Sequence, residues 1–165
     1  MEFSIRPIAG EDRRDIIDIF NYYVENSFAA YPERKLPYEA FDLFLQVSRG
    51  YPTGTVTDEK GGIVGFGMLR VHNSAPVFSQ TAEATYFIHH EYTGKGIGKL
   101  LLARLEKGGR EMGLKNVLAS ISSLNPRSIA FHLENGFAEC GRFKNAGKKN
   151  GRDFDTVWMQ KILVT

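Results

Sequence analysis

The sequence predicts a single mixed α/β domain over residues 1–165, and three observations carry that expectation. Apolar residues alternate in some segments and recur at helical spacing in others, in the order strand, two helices, three strands, helix, strand, helix, two strands. A glycine-rich stretch, Thr93-Gly94-Lys95-Gly96-Ile97-Gly98-Lys99, lies where a strand gives way to a helix. Further on, Asn125-Pro126 and Gly136 mark the start and stop of a short helix.

Phe3 to Ile8 alternates apolar and polar and ends at Ala9-Gly10, as a short strand does. Ile16, Phe20, Tyr23 and Val24 then share one helical face. Asn26 to Leu36, with Ser27, Pro32 and the charged Glu33-Arg34-Lys35, reads as a loop. Pro37 can open a second helix whose apolar side is Phe41, Phe44 and Leu45. Thr53–Thr57 and Ile63–Val71 are strands joined by the turn Asp58-Glu59-Lys60-Gly61-Gly62, and Thr81–Ile88 is a third. Ile97 to Met112 is a helix, with Ile97, Leu101, Leu105 and Met112 along one side, and Val117 to Ser122 is a strand. Asn125 can cap the next helix, where Pro126 lacks only an N–H that has no helical partner; Gly136 ends it. Two last strands flank Asn150-Gly151, a dipeptide suited to a tight hairpin.

Composition excludes several classes. Lys and Arg number 21 against 19 Asp and Glu, a net charge of +2, too small an imbalance for nucleic acid to be the main partner. The charge does allow a local basic patch for an anionic ligand. A lone cysteine, Cys140, rules out an intramolecular disulfide, and it is expected to be a small buried residue in the strand after Phe137. The four histidines and the cysteine show no metal-ligand spacing, so no metal is expected. No apolar run is long enough for a membrane span, and Met1-Glu2-Phe3-Ser4-Ile5-Arg6 lacks a signal-peptide core, which makes a cytoplasmic protein the expectation.

Glycines let a loop turn its N–H groups toward an anion, and a helix N-terminus adds partial positive charge, so the stretch from Gly94 to Lys99 suits a pyrophosphate. It does not match the nucleoside-triphosphate loop, which needs four residues between its glycines and Ser or Thr after the lysine; here Leu100 follows Lys99. It does not match the dinucleotide fingerprint either: the third glycine comes too early, and Lys115-Asn116-Val117 holds no acid to grip a ribose. Coenzyme A is the remaining ligand reading, against a glycine turn that binds nothing.

Here the chain resembles the GNAT superfamily of N-acetyltransferases, from about Ile5 to Gln160, and within it the phosphinothricin acetyltransferase group. The superfamily signature Q/R-x-x-G-x-G/A is met by Thr93-Gly94-Lys95-Gly96-Ile97-Gly98, with Thr93 in place of Gln or Arg. Asn21-Tyr22-Tyr23-Val24-Glu25-Asn26-Ser27 resembles the group's N-H-Y-[VI]-E-T-S run, and Ala82-Glu83-Ala84-Thr85-Tyr86-Phe87-Ile88 its A-E-S-T-V-Y-V strand. Asn125, Ser128 and His132-Leu133-Glu134-Asn135-Gly136-Phe137 resemble its N-x-x-S and H-E-x-x-G-[FY] helix, and Gly147-Lys148-Lys149-Asn150-Gly151 with Asp155 and Gln160 its closing hairpin. The resemblance implies a mostly antiparallel, twisted sheet of about seven strands, splayed in the middle, with helices on both faces. It implies acetyl-CoA as co-substrate, a small-molecule amine as acceptor, and a homodimer. Backbone groups of Phe87 and Ile88 would hold the pantetheine arm; Gly94, Lys95, Gly96, Ile97, Gly98 and Lys99 would cradle the pyrophosphate; Asn125 and Ser128 would reach the pantetheine and a phosphate.

Transferring an acetyl group to an alkyl amine requires a base, because such amines are protonated at neutral pH. Glu83 stands in an otherwise uncharged strand, sharing a face with Thr85 and Phe87, and the resemblance makes it the base; the other reading is a salt-bridged strand glutamate. His132 occupies the place where many superfamily members carry a tyrosine general acid; it either donates a proton near the leaving sulfur or packs against Phe131 or Phe137. Tyr86 faces away from Glu83 and reads as core, and His89 and His90 as loop residues. The group's W-K-x-R-x-A-Y stretch is met here by His72-Asn73-Ser74-Ala75-Pro76-Val77-Phe78, which lacks the lysine, the arginine and the tyrosine hydroxyl. With Phe28 and Tyr31 in a more apolar early loop, Phe28, Tyr31 and His72 become the acceptor-site candidates, and Arg70 and His72 can partly compensate for the lost cations. Two other functions stay open on sequence grounds, a non-catalytic acyl-CoA-binding domain and a protein or peptide N-acetyltransferase.

Overall fold

The structure, a computed structural model, describes residues 1–164. Its elements are β1 (Ser4–Arg6), α1 (Arg13–Asn26), α2 (Phe41–Val47), β2 (Thr53–Thr57), β3 (Ile63–Val71), β4 (Thr81–Ile88), α3 (Ile97–Glu111), β5 (Asn116–Ser122), α4 (Pro126–Glu134), β6 (Ala138–Lys149) and β7 (Arg152–Ile162). This is the expected mixed α/β order. The strands form one sheet in the order β1-β2-β3-β4-β5-β7-β6. Every neighbouring pair is antiparallel except β4 and β5.

Helices cover both faces. On one, α1 and α2 bury Ile16, Ile17, Phe20, Val24 and Phe41 against Phe66 and Met68 of β3. On the other, α3 packs closely on β3, where a Cβ at Gly65 would stand 3.1 Å from Ile97; at Gly67 a Cβ would stand 2.9 Å from the Tyr86 Cβ of neighbouring β4. A third cluster joins Leu69 and Ala82 to Leu102 and Leu105 of α3, Val117 and Ala119 of β5, and Val157 and Met159 of β7.

The site is positioned by the way β4 and β5 part. Only Thr81, Ala82 and Glu83 pair with Asn116, Val117 and Leu118. Beyond Glu83, β4 stays paired with β3 as far as Ile88, and β5 stays paired with β7 as far as Ser122, so the sheet splits down its middle. At the far end β6 and β7 form a long hairpin with two irregularities; Asn150 (φ 50°) and Gly151 (φ 77°) make the tight turn that two positive φ angles allow.

Three packing expectations are corrected. Cys140 is exposed: it sits at an irregularity of β6, the edge strand, whose residues are nearly all exposed. Met112 lies just past the end of α3 and is 44% exposed. Leu45, in short α2, is 36% exposed.

Candidate active site

The split in the sheet opens into a cavity of about 920 Å³. Its walls come from β4, β5, α4, the loop after α1 and the glycine loop. Gly94 (φ 76°) and Gly96 (φ 86°) take left-handed backbone that other residues adopt at a cost, and Gly96 caps the start of α3. Its chain neighbours apart, no residue comes within 4 Å of where a Gly96 Cβ would stand, so the loop presents bare backbone to the cavity. Gly98 serves packing: a Cβ there would meet the Phe131 ring of α4 at 3.3 Å. Ile97, Gly98 and Lys99 line the cavity, whereas Lys95 turns aside, its Nζ 5.2 Å from the centre of the Tyr92 ring. Arg127 of α4 also lines the cavity, and its Nη2 would lie 3.7 Å from a Gly94 Cβ. Lys99 and Arg127 therefore put positive charge beside the glycine loop.

The open edge of β4 is read from its hydrogen-bond alternation. His89 N–H donates to Val64 O at 2.8 Å, so the backbone groups of Phe87 turn toward β3 and those of Tyr86 and Ile88 turn toward the split. The expectation that Phe87 offers its backbone is thus corrected to Tyr86; Phe87 packs its ring on Phe20 and Phe66. The Tyr23 hydroxyl donates to the Ile88 carbonyl, and burial raises the pKa of that phenol above its ordinary value, with Tyr22 adding and Arg127 opposing. Asn125 Oδ1 accepts from Ser128 N–H at 3.3 Å, a helix cap that leaves the amide Nδ2 free to serve a ligand.

Glu83 is 8% exposed and held on both oxygens. Arg70 Nη2 donates to Oε1 at 2.9 Å, His72 Nδ1 lies 2.9 Å from Oε2, and Arg70 Nε donates to Thr85 Oγ1 at 3.0 Å. Glu83 and Arg70 line the cavity; His72 is reached only through Glu83. Of the two other acceptor-site candidates, Tyr31 lines the cavity and stacks on Phe154 at 5.5 Å. Phe28 lies outside the lining: its ring meets Phe154 edge-on and carries Arg152 5.7 Å from its centre.

His132 is 3% exposed. Its Nδ1 lies 2.7 Å from Ser128 O, its Nε2 is hydrogen-bonded to the Tyr86 hydroxyl, and the rings of Phe131 and Phe137 stand edge-on against it. Burial holds the imidazole below its ordinary value, opposed in part by the Ser128 carbonyl. His132 is thus packed against Phe131 and Phe137 and also lines the cavity. Tyr86 packs against the core, as expected, and also lines the cavity.

Sequence reasoning missed Arg127, Tyr86 and Lys149. Lys149 lies in the hairpin Gly147–Gly151, which reads as a solvated turn, yet it is 1% exposed. Its Nζ donates to the carbonyls of Val24, Ser27 and Ala30 at 2.7, 2.8 and 2.7 Å, and so fixes the loop that carries Ala29–Pro32 into the cavity wall. Burial pushes the ammonium below the usual lysine value, with Glu33 opposing.

Residues 16–137 match the family model described as the acetyltransferase (GNAT) family. The chain belongs to the GNAT family. It is 32% identical to an L-methionine sulfoximine/L-methionine sulfone acetyltransferase of Salmonella typhimurium, over 97% of this chain and 94% of that protein. It is 28% identical to a phosphinothricin N-acetyltransferase of Streptomyces coelicolor, over 98% and 97%. A crystal structure of a Sinorhizobium meliloti phosphinothricin acetyltransferase in complex with AcCoA superposes with a TM-score of 0.93 at 32% identity, covering 99% of this chain and 89% of that one. This GNAT protein is an N-acetyltransferase with acetyl-CoA as donor, and it falls with the phosphinothricin acetyltransferase-like members. Its residues fit that donor: bare glycine backbone at a helix N-terminus beside Lys99 and Arg127 suits a pyrophosphate, and the open edge of β4 suits an amide-bearing arm. Among the described residues no group of three or more His, Cys, Asp or Glu could hold a metal ion, and no helix is long and apolar enough to cross a membrane.

Proposed function

We propose that this N-acetyltransferase acetylates the amine of a small, amino-acid-like molecule by direct attack on the thioester, with Glu83 as base. The observation that carries the proposal is the shared cavity: Glu83, anchored by Arg70 and His72, borders the same space as the glycine loop and the open edge of β4. Bound acetyl-CoA supplies an activated acetyl group. The chain's residues hold and orient: the Gly94–Lys99 backbone, Lys99 and Arg127 grip the pyrophosphate, while Tyr86 and Ile88 face the arm. Asn125, through its free amide, and Ser128 hold the arm from the α4 side. Glu83 accepts the proton that the amine sheds as it bonds to the acetyl carbon. Arg70 and His72 keep the carboxylate aimed at that point. Direct transfer is supported by Cys140, the chain's one cysteine, which is exposed on β6 and outside the cavity lining.

The acceptor differs from the one in the group's name. Arg70 commits Nε and Nη2 to Thr85 and Glu83, and His72 commits Nδ1 to Glu83, so neither substitutes fully for the cations that the His72–Phe78 segment lacks. Ala75 cannot grip a phosphinate or carboxylate as arginine does. Phosphinothricin should therefore be a poor substrate and less anionic amines better ones, with Tyr31 as an apolar wall. Free-thiol release with acetyl-CoA against amino acids, methionine sulfoximine, phosphinothricin, polyamines and peptides tests this. The highest kcat/KM on phosphinothricin would overturn the acceptor reading, and activity on peptides alone would overturn the small-molecule reading. With this reading we place the enzyme in the cytoplasm, as a single domain over residues 1–165 that pairs with a second copy. A monomer by sedimentation at micromolar concentration would remove the dimer.

A further inference from the structure

We propose that Tyr86, not His132, gives the hydrogen bond that stabilises the departing sulfur, and that His132 is the positioning residue that holds the Tyr86 hydroxyl ready. The inference rests on the proposed direct transfer and adds a residue to it.

The argument begins with the histidine tautomer. A backbone carbonyl only accepts hydrogen bonds, so the 2.7 Å contact between His132 Nδ1 and Ser128 O puts the ring proton on Nδ1. Burial keeps the ring neutral, which leaves Nε2 with a lone pair and no proton. The hydrogen bond between Nε2 and the Tyr86 hydroxyl then has one sense: tyrosine donates, histidine accepts. The ring cannot turn to present an N–H elsewhere, because Phe131 and Phe137 brace it edge-on. His132 therefore has no proton to offer the cavity, and the expectation that it is the donor fails on elementary valence.

Tyr86 has the proton and the position. It lines the cavity from β4, three residues beyond Glu83, which along a strand is about 10 Å. Its backbone faces the split where the donor's arm would run, and its side chain leans toward α4. In the related A-E-S-T-V-Y-V strand a valine stands at this place, so the Tyr86–His132 pair distinguishes this chain from that pattern. Burial, with a contribution from the charge of Glu106, pushes the phenol far above its ordinary value. A hydroxyl that holds its proton this firmly acts as a hydrogen-bond donor and does not protonate a thiolate.

The step balances with one proton transfer, from the amine to Glu83, and none from Tyr86. As the amine nitrogen bonds to the acetyl carbon, the carbon–sulfur bond breaks and its electron pair goes to sulfur. Tyr86 keeps its proton and exchanges an O–H···N bond to neutral His132 for a stronger O–H···S bond to the anionic thiolate. When the thiolate leaves, the hydroxyl returns to Nε2.

Binding of coenzyme A and of desulfo-coenzyme A, measured by calorimetry at pH 9, tests the proposal in the wild type and in Tyr86→Phe. The thiol is largely ionised at that pH by comparison with a thiol reference near 8.5. Tyr86→Phe should weaken coenzyme A by about tenfold or more, the scale of one hydrogen bond to a charged group, and leave desulfo-coenzyme A unchanged. Equal losses for both ligands, or no loss for either, would overturn it. Nitrogen-15 spectra of the wild type should show His132 neutral and protonated on Nδ1; a proton on Nε2 would also overturn it. Turnover of Tyr86→Phe and Glu83→Gln, read side by side, separates this inference from its foundation. A silent Glu83→Gln with a slowed Tyr86→Phe sinks the base and keeps the tyrosine. The converse sinks the tyrosine and keeps the base.

Discussion

Replacing Lys149 with methionine removes one ammonium and keeps the length of the side chain. In the native protein that ammonium donates to three carbonyls at the end of α1 and in the loop behind it, with only 1% of the residue exposed. Each orphaned buried carbonyl costs about 1–3 kcal/mol. Against that, the variant no longer desolvates an ammonium, a cost of several kcal/mol in real proteins. The Ser27 carbonyl is only partly buried, so water recovers some of its loss. The net expectation is a destabilisation of about 3 kcal/mol, within the range seen when one partner of a buried polar group is removed. For a chain of this size that is a fall in Tm of about 10 °C by calorimetry. The catalytic effect should be selective. The loop forms the Tyr31 wall, and Lys149 bonds to no residue of the glycine loop, so KM for the amine should rise about tenfold. Acetyl-CoA affinity should stay within about twofold, because the residues that grip its pyrophosphate make no contact with Lys149. A Tm within about 2 °C of the wild type, or equal losses of amine and acetyl-CoA affinity, would refute the reasoning.

Acetyl-CoA should raise the Tm of the wild type, and Gly96→Val should abolish most of that shift, because a branched side chain at φ 86° is strained and fills the cradle; differential scanning fluorimetry with and without acetyl-CoA reads this. His132 binds its proton less readily folded than unfolded, so below the unfolded value of about 6.5 the unfolded chain takes up the proton first and stability falls with pH. The decline in Tm from pH 7 to pH 5.5 should accordingly be shallower in His132→Gln. Cys140 should react with iodoacetamide in the folded protein while acetyl transfer continues undiminished, since its thiol is exposed and outside the cavity.

Local chemistry made much of the fold legible. Gly94 and Gly96 announce the loop because left-handed backbone favours glycine, and Asn125-Pro126 and Asn150-Gly151 announce a helix start and a hairpin for reasons equally local. The split between β4 and β5 has no such signature. It depends on which strands pair and how far, and only the family resemblance foretold it. Strand alternation correctly put Tyr86 opposite Glu83 but could not say that the opposite face also borders the cavity, since both faces of β4 meet space once its edge is free. Lys149 was illegible because lysine in a Gly-Lys-Lys-Asn-Gly turn is ordinarily solvated; only the three-dimensional approach of the α1 loop buries it. Cys140 misled in the opposite sense, because its exposure follows from the edge position of β6. Glu83 could be named a candidate from its uncharged strand alone, whereas Arg70 and His72 emerged as its anchors only when the β3 register set Arg70 opposite it.

The division of the sheet has one more consequence. Four strands on one side and three on the other share a seam of three residue pairs, and at that seam Ala82 and Val117 are fully buried in a cluster drawn from both halves. The halves are welded at one end and free at the other, like the jaws of a clothes-peg. The angle of the jaws is set at the weld, where Ala82 and Val117 touch no reactant and Glu83 stands at the outermost pair, while Tyr86 and Ile88 sit further out on the arm. A single added methyl at Ala82 would thus act as a wedge whose displacement grows with distance from the fulcrum, altering the gap at Tyr86 and Ile88 more than at its own position.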